Sequence, residues 1–249
     1  MRKKDKCLIY ANSHHEEMRY IKEATISCES FKRYLSSVHA VLYCDLVDYQ
    51  SKTFEEIVNA EFTVPEALKS RMHKRGQMLV KHQAMLETKF DFNLVLGSDA
   101  YALSSKVNSI FELLEHFDIA VAHAPFRIVS MPDSEFIPVP DCFPEFNCDV
   151  IAYRKRDNVL KFIEQWQQYY SQDVFGHPHD QGTFRYLLYS SDLRIATLPP
   201  EFNYRGDIWR DDTVILQNRE LLSEYLAANH AGVVKKKKLF EKVKSKFNK

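Results

Sequence analysis

The stretch from Asn93 to Leu103 reads Asn-Leu-Val-Leu-Gly-Ser-Asp-Ala-Tyr-Ala-Leu, an apolar run that delivers a carboxylate, Asp99, just past its end. A short apolar run bounded by turn residues is how a covered central strand appears in sequence. Ligands of open α/β sheets bind beyond the carboxyl ends of such strands. Asp99, with Ser98 before it, is therefore a candidate for ligand binding. A second cluster lies in Phe146–Arg154, where Asn147 and Asp149 interrupt an otherwise apolar strand. A buried amide needs partners, and a ligand is one class of partner. The third is His177-Pro178-His179-Asp180-Gln181, a turn that becomes a helix. Asp180 suits either an N-cap or a catalytic carboxylate, whereas His177 and His179 read as loop residues.

The elements that must position these groups alternate. Cys7–Ala11 predicts a first strand with Tyr10 near its end and Asn12 just past it, and helical spacing follows over 16–34 (Met18, Ile21, Ile26, Phe31). Ala40–Cys44 predicts a second strand, and a helix over 69–86 carries Arg75 and Lys81 to the central strand at Leu94. Beyond Tyr101 come a helix over 107–116, a strand Ile119–His123, and an irregular loop from Pro125 to Pro144. The strand Phe146–Arg154, a helix from Asn158 to about Tyr170, the helix opened by Asp180 and a strand from Leu193 that Pro199-Pro200 stops complete the pattern. Strands alternating with helices predict an α/β fold, a mostly parallel central sheet with helices on both faces. Phe162, Trp166 and Tyr169 have helical spacing and are expected in the core.

With 45% hydrophobic residues and only six glycines in 249, the chain has the material for a core and is not loop-dominated. No apolar stretch approaches the ~18 residues that span a bilayer. Residues 1–6 run straight into a strand rather than a signal-peptide core, so the expected location is cytoplasmic. The five cysteines lack paired C-x-x-C spacing and are expected to be reduced and mostly buried. The net charge of zero hides an asymmetry: residues 235–249 hold eight lysines and one glutamate. The expected division is a domain over 1–234 and a lysine-rich tail over 235–249. In that tail Leu239, Phe240, Val243 and Phe247 share one side of a helix, the composition of a segment lying on an anionic membrane face. A disordered solubilising tail fits equally well, and nucleic-acid binding through it would be nonspecific.

Taken in order, these segments carry a resemblance. Leu-Gly-Ser-Asp-Ala-Tyr, Phe-Asn-x-x-Val-Ile-Ala-Tyr-Arg-Lys, His-Asp-Gln and Leu-Pro-Pro-Glu-Phe-Asn succeed one another between Leu8 and Arg219. Together they resemble the nucleotide-diphospho-sugar transferases related to glycosyltransferase family 8, the glycogenin-like retaining enzymes. The resemblance implies a single GT-A (Rossmann-like) domain over 1–234 and transfer of a sugar from a nucleotide-sugar donor, a UDP-sugar, to a glycan or glycolipid acceptor. On it, Asp99 matches the second aspartate of a DxD-like metal motif. Asn147 matches the asparagine beside the donor sugar, and Asp180-Gln181 match the pair under the reacting sugar. Tyr10, Asn12, Arg75, Lys81, Ser98, Asp99 and Asp149 are the implied donor contacts.

Three positions depart from the pattern. Gly97 stands where the family has its first metal-binding aspartate, Asp149 replaces a glycine, and Gln217 stands where relatives have a histidine ligand. Mn²⁺ or Mg²⁺ on a diphosphate wants several hard ligands. The implied set is Asp99 with Asp149, Gln217 or a displaced His230. The hypothesis that follows is that Asp149 restores the carboxylate missing at Gly97; the alternative is neutralisation of the diphosphate by lysine or arginine. Two other functions stay open: a sugar-nucleotide-binding protein without turnover, and a nucleotidyltransferase. The latter usually opens on a glycine-rich phosphate loop, and Tyr10-Ala11-Asn12-Ser13-His14 has no glycine.

Overall fold

A computed structural model describes residues 5–12, 18–60, 65–68, 75–125, 137–177 and 179–230. The lysine-rich segment 235–249 and most of the loop after Pro125 lie outside these residues.

The first half of the chain winds as its apolar spacing predicts. Strand β1 (Lys6–Asn12) leads to helix α1 (Arg19–Lys32) and strand β2 (His39–Cys44), then to a short strand β3 (Glu56–Asn59), helix α2 (Arg75–Glu87) and strand β4 (Phe92–Leu96). After β4 come a two-residue strand β5 (Tyr101–Ala102), a 3₁₀ turn capped by the Ser104 hydroxyl, and helix α3 (Ser109–Leu113). The second half adds β6 (Ile119–His123), β7 (Phe146–Arg154), α4 (Asp157–Ser171), α5 (Gln181–Tyr189), β8 (Ile195–Leu198), β9 (Ile215–Leu216) and α6 (Arg219–His230).

Seven strands form one sheet in the order β3-β2-β1-β4-β7-β6-β8, and β5 pairs with β9 in a separate ribbon. Every pairing in the sheet is parallel except those of β7, which runs antiparallel to both β4 and β6. The reading of a mostly parallel sheet is thus correct. The central strands β1, β2, β4 and β6 are largely apolar because both their faces are covered. Along β1, Leu8 and Tyr10 enter a core shared with α1 and α3, while Cys7 and Ile9 enter one shared with α2, α4 and α5. Phe162 and Trp166 lie in that second core, with Tyr169 packed against it.

Three elements differ from the spacing-based reading. The strand β3 escapes it because three of its four residues are only partly buried and the fourth is exposed, which leaves no apolar run. The strand expected from Leu193 begins at Ile195 and ends at Leu198, where Pro199-Pro200 stop it as expected, and Pro200–Asn203 form a 3₁₀ turn. The ribbon of β5 and β9 is too short to leave a periodic trace. All five cysteines are free, and only Cys142 is exposed.

Candidate active site

The reversal of β7 brings two distant stretches of sequence to one rim of the sheet. Leu96 at the end of β4 pairs with Val150, so Gly97 donates its N–H to the Asp149 carbonyl at 2.6 Å. Asp149 sits near the amino end of its own strand yet at the carboxyl edge of β4, because the strand is antiparallel. Its side chain lies over Gly97. A β-carbon added at position 97 would stand 3.0 Å from Asp149 Cβ and 3.2 Å from Asp99 Oδ1. Glycine permits this close approach, and any side chain would oppose it.

Gln217, carried just past β9, ties the two carboxylates together. Its Nε2 donates to Asp149 Oδ2 at 2.5 Å and to Asp99 Oδ1 at 3.4 Å. The residue is 5% exposed, and its Oε1 has no hydrogen-bond partner. Burial raises the Asp99 pKa above the ordinary aspartate value and the Asp149 charge adds to this, while Arg219 and Gln217 oppose it.

Arg219 opens α6 with its Nη1 3.4 Å from Asp99 Oδ2. The same guanidinium forks onto Glu23 of α1, Nε to Oε1 at 3.0 Å and Nη2 to Oε2 at 3.1 Å. Ser98 donates to the same Glu23 carboxylate at 3.4 Å. Ser98, Asp99, Asp149, Gln217 and Arg219 line a cleft of about 280 Å³ together with Asn12, Lys81, His179 and Arg205. Asn12 is 5% exposed and its Nδ2 lacks a partner, a second buried amide group with spare capacity on the same wall.

Behind the cleft wall lies a buried ion pair. Lys81 Nζ stands 2.5 Å from Asp180 Oδ2 and donates to the Cys148 carbonyl at 3.3 Å. It also lies 5.0 Å from the Trp166 ring centroid, and the Trp166 indole N–H donates to the Asp180 carbonyl at 3.1 Å. Burial would raise the Asp180 pKa, but the Lys81 charge and the His82 contact outweigh it and hold the carboxyl down at about 2. Burial likewise works against the Lys81 charge, and Asp180 overcomes it, leaving the Lys81 pKa raised. His82, packed 4.3 Å from the Trp166 ring, has its pKa lowered by burial.

Asp180 is therefore an acid that holds Lys81, and Lys81 is the member of the pair that faces the cleft. Asp180 also occupies the N-cap position of α5 without making a side-chain cap hydrogen bond. Gln181 and Asn147 belong to an amide relay beneath the rim. Gln181 Nε2 donates to Glu145 Oε1 at 2.8 Å, Asn147 Nδ2 donates to Gln181 Oε1 at 3.3 Å, and Asn203 Nδ2 donates to Asn147 Oδ1 at 2.8 Å. The same Asn147 oxygen accepts from the Asp149 N–H at 3.0 Å. Asn203 Oδ1 is the one atom of this relay without a partner; the remaining bonds rigidify what they hold, and what they hold is Asp149.

Of the residues singled out from sequence, Asn12, Lys81, Ser98, Asp99, Asp149 and Gln217 converge on the cleft. Tyr10 does not. It is fully buried, its hydroxyl is within hydrogen-bond distance of Ser27 Oγ (2.9 Å), and its ring packs edge-on against Phe54. Two residues short of the strand end, its side chain fills the core under α1 rather than the rim. The side chains of Arg75 and His230 lie outside the described residues. Sequence reasoning missed Arg205, Arg219 and Glu145, whose roles depend on contacts far along the chain. Among the described residues no group of three or more His, Cys, Asp and Glu is placed to hold a metal ion. Two carboxylates and the Gln217 carboxamide are what the rim presents.

No family model matches the sequence, and no curated protein matches it. Solved structures do. The chain is similar to a glycosyltransferase involved in the glycosylation of the major capsid of PBCV-1, with a TM-score of 0.54 and 13% identity over 90% of this chain and 98% of that one. It is also similar to the galactosyltransferase LgtC in complex with donor and acceptor sugar analogues, with a TM-score of 0.54 and 11% identity over 86% of this chain and 87% of that one. An active-site mutant of LgtC aligns over the same shares at a TM-score of 0.53 and 11% identity. The chain has the GT-A fold that these glycosyltransferases share.

Proposed function

We propose that this protein is a glycosyltransferase that moves a sugar from a nucleotide-diphospho-sugar, a UDP-sugar, to a glycan or glycolipid acceptor. One observation carries this reading. At the ligand-binding edge of a GT-A sheet, two carboxylates bridged by Gln217 share a cleft with the cations Lys81, Arg205 and Arg219. Both named structural relatives are glycosyltransferases, and one was solved with donor and acceptor sugar analogues.

Glycosyl transfer builds positive charge on the sugar and negative charge on the departing diphosphate. Lys81, kept charged by Asp180, meets the diphosphate together with Arg205 and Arg219. Asn147 and Gln181 act through Asp149, whose backbone they fix, and Asn12 offers an unpaired amide N–H to the donor. A divalent cation, Mn²⁺ or Mg²⁺, would be held by Asp99, Asp149 and Gln217 and would neutralise part of the diphosphate charge. Retention is the proposed stereochemistry. An inverting enzyme needs a carboxylate base that reaches the acceptor hydroxyl, whereas the Asp180 side chain is 3% exposed and bound to Lys81 at 2.5 Å.

No helix of the described residues is long and apolar enough to cross a membrane. The proposed setting is cytoplasmic, with residues 235–249 resting on an anionic lipid face. Co-sedimentation of the full chain and of a chain ending at 234 with anionic liposomes tests this, and equal binding by both would remove the tail from the reading.

Calorimetry with UDP and a panel of UDP- and GDP-sugars, in Mn²⁺ and then in EDTA, tests the function, followed by assays of donor hydrolysis and transfer. Binding with turnover of one donor is expected. Binding without turnover would favour a sugar-nucleotide-binding protein that has lost catalysis, and no binding would overturn the reading.

A further inference from the structure

A second cavity, of about 180 Å³, opens between α1 and α6. Each helix turns one face to it: Arg19, Glu23 and Ile26 recur at helical spacing on α1, and Arg219, Leu222 and Leu226 do so on α6. Three of the residues around it, Ser98, Asp99 and Arg219, also line the donor cleft, so the two cavities share a wall. Small-molecule sites begin at ~300 Å³. Neither cavity reaches that size by itself, and the two side by side exceed it.

The walls of the second cavity are apolar. Ile26, a large hydrophobic residue left 42% exposed, comes from α1, and Leu222 and Leu226 come from α6. The three serine hydroxyls around it already donate within the protein: Ser27 to the Ala100 carbonyl, Ser98 to Glu23 at 3.4 Å and Ser223 to the Arg219 carbonyl at 2.8 Å. A group lodged there gains from apolar contact, whereas a sugar ring would leave many of its hydroxyls without partners. Polarity is confined to one end. There Glu23 accepts from Arg19 Nε at 3.0 Å and from the Arg219 fork, and Arg219 also meets Asp99. Two arginines against two carboxylates leave that end without net charge. An anionic linkage would have to displace Glu23 from both arginines, and a neutral glycosidic one would not.

We propose that the cavity between α1 and α6 is the acceptor subsite and that it takes an uncharged glycoside with an apolar aglycone. The aglycone lies between the helices, and the sugar lies at the charged end beside the wall shared with the donor. The inference rests on the glycosyltransferase reading for the acceptor role, but the apolar subsite is defined by Ile26, Leu222 and Leu226, none of which lines the donor cleft.

The test is a calorimetric titration of the full chain, with and without UDP, by octyl and by methyl β-D-glucoside, both kept below the micelle concentration of the octyl compound. Each CH₂ buried strengthens binding roughly fourfold, so the octyl glucoside is expected to bind at least ~10-fold more tightly than the methyl one. Leu226→Trp fills the cavity from α6 and Ile26→Trp fills it from α1. Each should remove most of the octyl preference while changing UDP affinity far less. Thermal melts show that the variants fold, and Ile26 stands at an exposed position that accommodates the larger side chain. Equal binding of the two glucosides by wild type would overturn the proposal. So would an octyl preference that survives in both folded tryptophan variants. Turnover of a UDP-sugar by a chain with no octyl preference would overturn the acceptor subsite and leave the transferase reading intact. An octyl preference that the tryptophans abolish, in a chain that neither binds UDP nor turns over any donor, would support the glycoside site and overturn the transferase reading.

Discussion

Lys81 Nζ and Asp180 Oδ2 stand 2.5 Å apart with side chains only 9% and 3% exposed, an ion pair that joins α2 to the start of α5 behind the cleft. Removing one member of such a pair leaves a charge buried without compensation, at a cost of ~3–5 kcal/mol. Asp180→Leu and Lys81→Met are each expected to lower the urea midpoint accordingly. The double variant should recover much of the loss, because two apolar groups need no partner. A double variant no more stable than the worse single one would show that the pair is not the relevant unit. All variants lacking Lys81 should also bind the donor more weakly.

The same pair sets an acid limit. Because the folded-state pKa of Asp180 is depressed from 3.8 to about 2, the ionised carboxylate stabilises the fold above pH 3.8. That contribution is lost as pH falls through the interval toward 2, where folded Asp180 takes up its proton. Urea midpoints measured from pH 5 to pH 2 should drop more steeply for wild type than for Lys81→Met/Asp180→Leu. Parallel curves would assign the acid sensitivity to other carboxylates.

Gly97→Ala introduces a β-carbon 3.0 Å from that of Asp149. Overpacking of this kind costs ~1–3 kcal/mol. The effect should nearly vanish in an Asp149→Gly background, so a double-mutant cycle on thermal stability is expected to show strong coupling. Additive effects would mean that Gly97 is required for a reason other than the Asp149 side chain.

Arg219→Ala removes the fork onto Glu23 and the contact with Asp99. Both partners have side chains only about one-fifth exposed, so stability should fall by ~1–2 kcal/mol, more than for a surface pair. Donor affinity, measured calorimetrically with UDP, should fall far more than stability does, because a cation is removed from the cleft wall. Unchanged UDP affinity would take Arg219 out of the donor site.

Asn147→Leu strips Gln181, Asn203 and the Asp149 N–H of their shared partner. Each buried polar group so orphaned costs ~1–3 kcal/mol. The variant is expected to be strongly destabilised, and Asn147→Asp at least as much, since an oxygen in place of Nδ2 would face the Asp149 carboxylate and Gln181 Oε1 at a fully buried position. Comparison of their denaturant midpoints checks the order.

The strands and helices that bury apolar stripes were legible in the residues themselves, because a covered strand must be continuously apolar and an amphipathic helix must repeat near 3.6. So was the position of Asp99 past the end of β4, since a strand boundary is a local property. The antiparallel course of β7 was not, as nothing in Phe146–Arg154 encodes direction. Direction decides that Asp149 meets Gly97 rather than the opposite edge of the sheet. Tyr10 and Asn12 share a face of β1, and only the packing of α1 against the sheet separates a core hydroxyl from a cleft amide. Arg219 and Gln217 reach the rim through a two-residue strand paired with Tyr101–Ala102, more than a hundred positions earlier in the chain. Sequence determined which segments could be strands and which side chains could carry charge. Tertiary structure decided which of those charges share a site, because burial and Coulombic pairing act through space between residues that no local pattern connects.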